Sequence, residues 1–132
     1  MTQPSLSILY VDDDEDIRTI VTMSLALDAA ISLTVAASGE EALALLAKRT
    51  VWRPDVFILD VMMPGLSGPE TLAQMRRRDN LLSVPALFMT ARGRPMEQSE
   101  YRRLGAAGTI LKPFDPAQLA NQIRTMLAPP DA

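Results

Sequence analysis

Four apolar runs in this 132-residue chain each stop at a reactive polar side chain. Leu6-Ser7-Ile8-Leu9-Tyr10-Val11 stops at Asp12-Asp13-Asp14, and Val56-Phe57-Ile58-Leu59 stops at Asp60. Ala86-Leu87-Phe88-Met89 stops at Thr90, and Thr109-Ile110-Leu111 stops at Lys112. If the runs are parallel strands, their carboxyl ends lie along one edge of one sheet. That edge then holds a carboxylate cluster, a hydroxyl and an ammonium. The set suits one chemistry: a divalent cation and a phosphoryl group meeting at an aspartate.

Asp12, Asp13, Asp14, Glu15 and Asp16 crowd the first strand-to-helix turn. Acids favour a helix amino end, so capping explains one or two of them. A calcium loop of the EF-hand type needs glycine at its sixth position and glutamate at its twelfth. Counted from Asp12, those positions hold Ile17 and Met23, so that reading fails. Magnesium fits better, because it takes one or two carboxylates together with phosphate oxygens and waters. Clustered carboxylates repel, so without a cation at least one has a raised pKa.

Asp60 caps the following turn in one reading. In the other it is a metal ligand or a nucleophile, since carboxylates form aspartyl phosphates. Phosphoryl transfer needs positioning and charge neutralisation. Magnesium on Asp13 and Asp60 would supply both, with the Met62 backbone carbonyl as a further oxygen ligand. Thr90 would donate its hydroxyl to a phosphoryl oxygen. Lys112-Pro113 bars continuation of a central strand, so the chain turns there, with a cis bond as one option. A lysine at that turn places a compact charge over a phosphate or pairs with Asp60. Taken singly, threonines end many strands and lysines are mostly solvated. The joint occurrence at four strand ends carries the reading.

The composition narrows the alternatives. A chain of this length is one domain by default. A net charge of −3 argues against general nucleic-acid binding. With no cysteine and no histidine, disulfides, thiolate metal sites and the commonest general base are excluded. Met1-Thr2-Gln3-Pro4-Ser5 lacks the basic start and apolar stretch of a signal peptide. No apolar run approaches the roughly 20 residues of a membrane span. The expectation is a soluble, cytoplasmic chain without membrane contact.

Short apolar runs alternate with amphipathic stretches, the pattern of an α/β domain with a parallel sheet. Strands are expected at about 6–11, 31–36, 56–59, 86–89 and 108–111. A first helix is expected over about 15–28, with Ile17, Ile20, Val21 and Leu25 at helical spacing. Ser38-Gly39-Glu40-Glu41 reads as a capping box opening a second helix to about Lys48, with Leu43, Leu46 and Ala47 inward. A third helix starts near Pro69 and ends near Arg76-Arg77-Arg78. A fourth lies between Arg92 and Leu104, closed by Gly105. Asp115-Pro116-Ala117-Gln118 supplies an N-cap, a first-turn proline and a capping-box partner for the fifth helix, which runs to about Leu127. Its inner face carries Leu119, Ile123, Met126 and Leu127. Ligands bind such sheets at the carboxyl edge, where strand order reverses.

Ile8-Leu9-Tyr10-Val11-Asp12-Asp13-Asp14, Asp60-Val61-Met62-Met63-Pro64-Gly65-Leu66-Ser67-Gly68, Met89-Thr90-Ala91 and Leu111-Lys112-Pro113-Phe114 together resemble the receiver (response-regulator, CheY-like) domain of two-component signalling. The motifs occur in order and cover nearly the whole chain. The resemblance implies a flavodoxin-like three-layer α/β/α fold, with a five-stranded parallel sheet of order 2-1-3-4-5 and five helices. It implies one receiver domain over 1–132, with a core at about 5–127 and a flexible tail at 128–132.

By the same resemblance, Asp60 takes a phosphoryl group from a phosphohistidine on a sensor histidine kinase or a histidine phosphotransfer protein. Asp13 is the direct ligand of Mg2+, Asp12 acts through water, and Thr90 and Lys112 contact the phosphoryl oxygens. The chain is then a phosphoacceptor, not a turnover enzyme, and signals to a downstream protein. The family couples its threonine to a rotating aromatic ring three residues before the lysine. Here that position is Thr109, a departure from the aromatic readout but not from the phosphorylation chemistry. Met62 and Arg92 stand where family members vary and tune loss of the phosphoryl group. The face of the fourth helix, fifth strand and fifth helix is a candidate weak homodimer surface, with Arg92, Arg94, Arg102 and Arg103 around it.

Other features have plainer readings. Arg76-Arg77-Arg78 reads as a solvated helix end. Tyr101 reads as a helix surface or edge residue, and Trp52 as a cover for the sheet's amino edge. Two competing functions remain. A degenerate receiver would bind constitutively, but the complete set of site residues argues against it. An aspartate-nucleophile phosphatase needs a second acid near the nucleophile, and Asp60-Val61-Met62 offers none at the next alternate position. The chain ends soon after the fifth helix, so a stand-alone receiver is expected.

Overall fold

The computed structural model describes residues 4–128. The tail expected to be flexible therefore lies, from residue 129 on, outside the described residues. Strands β1 (Leu6–Val11), β2 (Ile31–Ala36), β3 (Val56–Asp60), β4 (Ala86–Thr90) and β5 (Gly108–Leu111) alternate with helices α1 (Glu15–Leu25), α2 (Gly39–Lys48), α3 (Gly68–Met75), α4 (Pro95–Arg103) and α5 (Leu119–Leu127). The strands form one parallel sheet in the order β2-β1-β3-β4-β5, as expected. The order reverses between β1 and β3, so the carboxyl ends of these two strands flank the crevice where such sheets bind ligands.

Alternation along the strands splits the core in two. Leu9, Val11, Phe57, Leu59 and Phe88 face Ala42 and Leu46 of α2, Leu72 and Met75 of α3, and Tyr101 of α4. Ile8, Tyr10, Ile58, Met89 and Ile110 face Val21 and Leu25 of α1 and Leu119 and Ile123 of α5. β3 and β4 are buried along their full length, which explains their unbroken apolar runs.

Several element ends depart from expectation. α1 stops at Leu25 rather than Asp28. The Ala26, Leu27 and Asp28 amides bond to Thr22, Ser24 and Leu25 as the chain turns. The Asp28 carboxylate then accepts from the Ala30 amide at 3.0 Å and Arg124 Nε at 2.8 Å, fixing the turn to α5. On α2 the buried residues are Ala42 and Leu46, with Leu43 packed against them, while Ala47 is exposed. Ser38 caps α2 by accepting from the Glu41 amide, but the Glu41 side chain does not complete the box. The complete capping box is on α3, between Ser67 and Glu70.

The expected capping signal of α5 folds as a separate turn. Asp115 Oδ1 accepts from the Ala117 amide at 2.9 Å, and the Gln118 amide bonds the Asp115 carbonyl at 3.0 Å. Ser24 Oγ of α1 donates to the Pro116 carbonyl, which holds that turn in place. The helix therefore begins at Leu119 with no side-chain cap.

Two readings of surface residues are corrected. Tyr101 is only 8% exposed and packs edge-on against Phe88, with ring centroids 5.7 Å apart and planes at 83°. Arg76 and Arg78 are not solvated helix-end charges. Arg76 Nη1 donates to the Leu81 carbonyl at 2.7 Å. Arg78 reaches the Leu46 carbonyl at 2.5 Å and the Thr50 carbonyl at 3.0 Å, bracing the end of α2. Trp52 is half-buried against the core under the Arg49 guanidinium, 4.1 Å above its ring.

Candidate phosphoryl and metal site

β1 carries Asp12 to the sheet edge in full burial. Each of its carboxylate oxygens meets a donor. Oδ1 accepts from the Asp14 amide at 3.0 Å, and Oδ2 from the Tyr10 hydroxyl at 2.6 Å. The Lys112 ammonium lies 3.4 Å from the same Oδ2. Arg18 Nη1 donates to the Asp12 carbonyl at 2.8 Å, tying α1 to the end of β1. The acidic run divides its roles: Asp14 caps α1 through the Asp16 and Ile17 amides, whereas Asp13 is exposed beside the crevice.

β3 brings Asp60 next to Asp12, with only 6% of the residue exposed. Its oxygens and those of Asp12 and Asp13 include one atom from each within 4.8 Å of one another. Gly68 permits this local packing. A Cβ built there would meet the Asp60 carbonyl oxygen at 2.4 Å, so α3 can start hard against the end of β3. The loop between them is anchored from outside by Glu40 of α2, which accepts from the Leu66 amide at 3.2 Å. Gly65, at φ +73°, makes the turn of that loop.

β4 and β5 close the other side. Thr90 is 3% exposed, and its hydroxyl oxygen accepts from the Arg92 amide at 3.0 Å. The Lys112 amide bonds the Thr90 carbonyl at 2.8 Å, and a cis bond joins Lys112 to Pro113. Lys112 Nζ then lies 3.1 Å from Asp60 Oδ1. Asp13, Asp60, Met62, Thr90 and Lys112 line a common depression of about 260 Å³. Asp12 lies buried behind it, in contact with Lys112. The structure thus gathers every site residue named from the sequence, with Met62 on the rim and its side chain exposed.

The electrostatics follow from burial and crowding. Burial first, and then the negative charge of Asp12, push the Asp60 carboxyl up to about 6 despite the Lys112 ammonium. Burial alone would lower the lysine, but Asp12 and Asp60 more than offset it and hold Lys112 above its ordinary value. Three carboxylates cluster here, and two of them, Asp12 and Asp60, meet the one ammonium. Oxygen donors of this kind fit a hard divalent cation such as Mg2+.

Tyr10 and Arg18 were not among the expected site residues. Tyr10 stood inside an apolar run, although its position two residues before Asp12 puts both on one strand face. Thr109 is half-buried and opens onto a depression lined by Gln98, Arg102, Gly108 and Met126.

Comparison with known proteins gives a consistent result. A family model described as the response regulator receiver domain matches residues 8–124. The chain is 36% identical over 121 residues to the transcriptional regulatory protein AfsQ1 of Streptomyces coelicolor, covering 92% of this chain and 51% of that protein. It is 33% identical to an uncharacterized 14.6 kDa protein of Leptolyngbya boryana, covering 99% of this chain and 98% of that protein. The structure of the chemotaxis protein CheY4 of Vibrio cholerae is similar at 34% identity and a TM-score of 0.81, over 92% of this chain and 98% of that one. The chain spans about half the length of AfsQ1 and of the other transcriptional regulators it matches.

Proposed function

The chain belongs to the response regulator receiver domain family, and on that footing we propose that Asp60 accepts a phosphoryl group in a Mg2+-dependent reaction. The donor in this reading is the phosphohistidine of a sensor histidine kinase or a histidine phosphotransfer protein. The observation that carries the reading is the meeting of Asp60 with Lys112 at 3.1 Å, inside a cluster that also holds Asp12 and Asp13. No single strand could assemble that set.

In the proposed step an Asp60 oxygen attacks phosphorus. A P–O bond forms, the P–N bond to the donor imidazole breaks, and the imidazole nitrogen takes up a proton from solvent. Asp60 must be ionised, and a value near 6 leaves it mostly so at pH 7. Asp13, Asp60 and the Met62 carbonyl would hold the cation, with Asp12 acting through water. When bound, the cation neutralises the charge that gathers on the phosphoryl oxygens. The Lys112 ammonium transfers from Asp60 Oδ1 to a phosphoryl oxygen, and the Thr90 hydroxyl donates to another. The new group shifts the population of conformations and so changes binding to a downstream protein.

The test is intact mass after incubation with magnesium and a small acyl phosphate. One added phosphoryl group, absent in Asp60→Asn and in protein stripped of divalent cation, supports the reading. No mass change would indicate a constitutive binding module. Repeated turnover of unrelated phosphate esters would indicate a phosphatase.

A further inference from the structure

We infer that Tyr10 is a positioning residue, whose hydroxyl keeps the Lys112 ammonium on Asp60 by occupying the Asp12 oxygen that would otherwise draw it away. The inference deepens the proposed phosphoryl reaction and rests on it.

Tyr10 is fully buried between β1 and the layer of α1 and α5. Its hydroxyl gives Asp12 Oδ2 the shortest of that oxygen's contacts, 2.6 Å. Lys112 Nζ approaches the same oxygen at 3.4 Å and Asp60 Oδ1 at 3.1 Å. Two donors therefore share one carboxylate oxygen, and the neutral donor holds the shorter bond. Asp12 is fully buried, so in the protein without a bound cation an oxygen that loses its donor has no bulk water to take in exchange. Among the described residues, the other donor on that oxygen is Lys112. A buried carboxylate without its phenol partner would pull the ammonium across, away from Asp60. The phenol ring alone would fill the same core volume without this effect. What the hydroxyl adds is a division of labour: Asp12 satisfied from within the core, and Lys112 left on Asp60.

Tyr10→Phe deletes the hydroxyl and keeps the ring. Lys48 and Lys112 are the only lysines in the chain, and Lys48 is exposed, so the side-chain 15Nζ resonance of Lys112 can be followed alone. In the protein without metal or donor, Tyr10→Phe is expected to shift that resonance. With saturating magnesium and acyl phosphate, it is expected to slow phosphoryl acceptance roughly five-fold. An unchanged resonance, or an unchanged rate, overturns the inference.

If Tyr10→Phe does not fold, the other tyrosine is removed by Tyr101→Phe and Tyr10 is replaced biosynthetically with 3-fluorotyrosine. The more acidic phenol is a stronger donor, so the resonance should move towards greater contact with Asp60. No movement overturns the inference. A wild-type chain that accepts no phosphoryl group would sink the proposed function instead, and the resonance would still report on the hydrogen bond.

Discussion

Lys112 Nζ lies 3.1 Å from Asp60 Oδ1, although the two residues are 52 positions apart. The contact spans the end of β5 and the end of β3, with β4 between them. It places the cation of the site against the carboxylate that carries the proposed reaction. Both groups are mostly shielded from water, so the attraction is less screened than at a surface.

Lys112→Met should destabilise the metal-free protein by about 3 kcal/mol at neutral pH, because it leaves buried carboxylates without their counter-charge. The loss should shrink at pH 5, where Asp60 can take up a proton instead. Magnesium should then raise the melting temperature more in the variant than in the wild type. Thermal denaturation with and without magnesium checks both points. An equal magnesium increment in the two proteins would contradict the electrostatic account.

The pH dependence of the metal-free protein should have two limbs. Between the ordinary 3.8 and about 6, folded Asp60 holds a proton that the unfolded chain has released. Stability should therefore rise as pH falls through that window. Asp28 and Glu70 have the opposite sign. A hydrogen bond from Arg124 lowers Asp28, and bonds from the Ser67 amide and hydroxyl lower Glu70. Their contributions are present above their ordinary values of 3.8 and 4.5 and are lost as pH falls further. Melting temperature against pH should pass through a maximum, and Asp60→Asn should abolish its neutral-side slope.

Tyr101→Ala should cost about 3 kcal/mol, the loss of a large buried ring. Tyr101→Phe should cost less than about 1 kcal/mol, since the ring against Phe88 is kept. In a double-mutant cycle of Phe88→Leu and Tyr101→Leu, a coupling of about 1 kcal/mol is expected from the edge-on contact. Urea denaturation of the four proteins measures it, and a coupling near zero would mean that the rings merely share space.

Gly68→Ala should cost about 2 kcal/mol. The added carbon meets a backbone oxygen of Asp60 at 2.4 Å, and backbone cannot rotate away as a flexible side chain can. α3 must move off the end of β3, so the variant should also slow phosphoryl acceptance. Wild-type stability together with a wild-type rate would show that the approach is not tight.

Much of the fold was legible because burial leaves a periodic signature. β3 and β4 are covered on both faces, so Val56-Phe57-Ile58-Leu59 and Ala86-Leu87-Phe88-Met89 read as unbroken apolar runs. Asp12, Asp60, Thr90 and Lys112 were legible because each follows such a run directly. Parallel strands put those ends on one edge. The family motifs then supplied the strand order, which periodicity does not encode.

Local signals misled where a distant segment supplied the deciding contact. Asp115-Pro116-Ala117-Gln118 has the composition of a helix start, but Ser24 of α1 bonds the Pro116 carbonyl and the segment stays a turn. Tyr101 sits among polar residues on α4, so its burial was invisible until the helix lay against Phe88 of β4. Arg76 and Arg78 resemble any basic helix end, yet their long side chains find the Leu81, Leu46 and Thr50 carbonyls.

By itself, the order of residues determined which segments become strands and which polar groups end them, because hydrophobic alternation and turn chemistry act over a few neighbours. Only the tertiary structure decided which donor each buried oxygen receives. The pairing of Tyr10 with Asp12 and of Lys112 with Asp60 depends on reach and direction across packed strands. Those quantities come into being when the layers close and water is excluded.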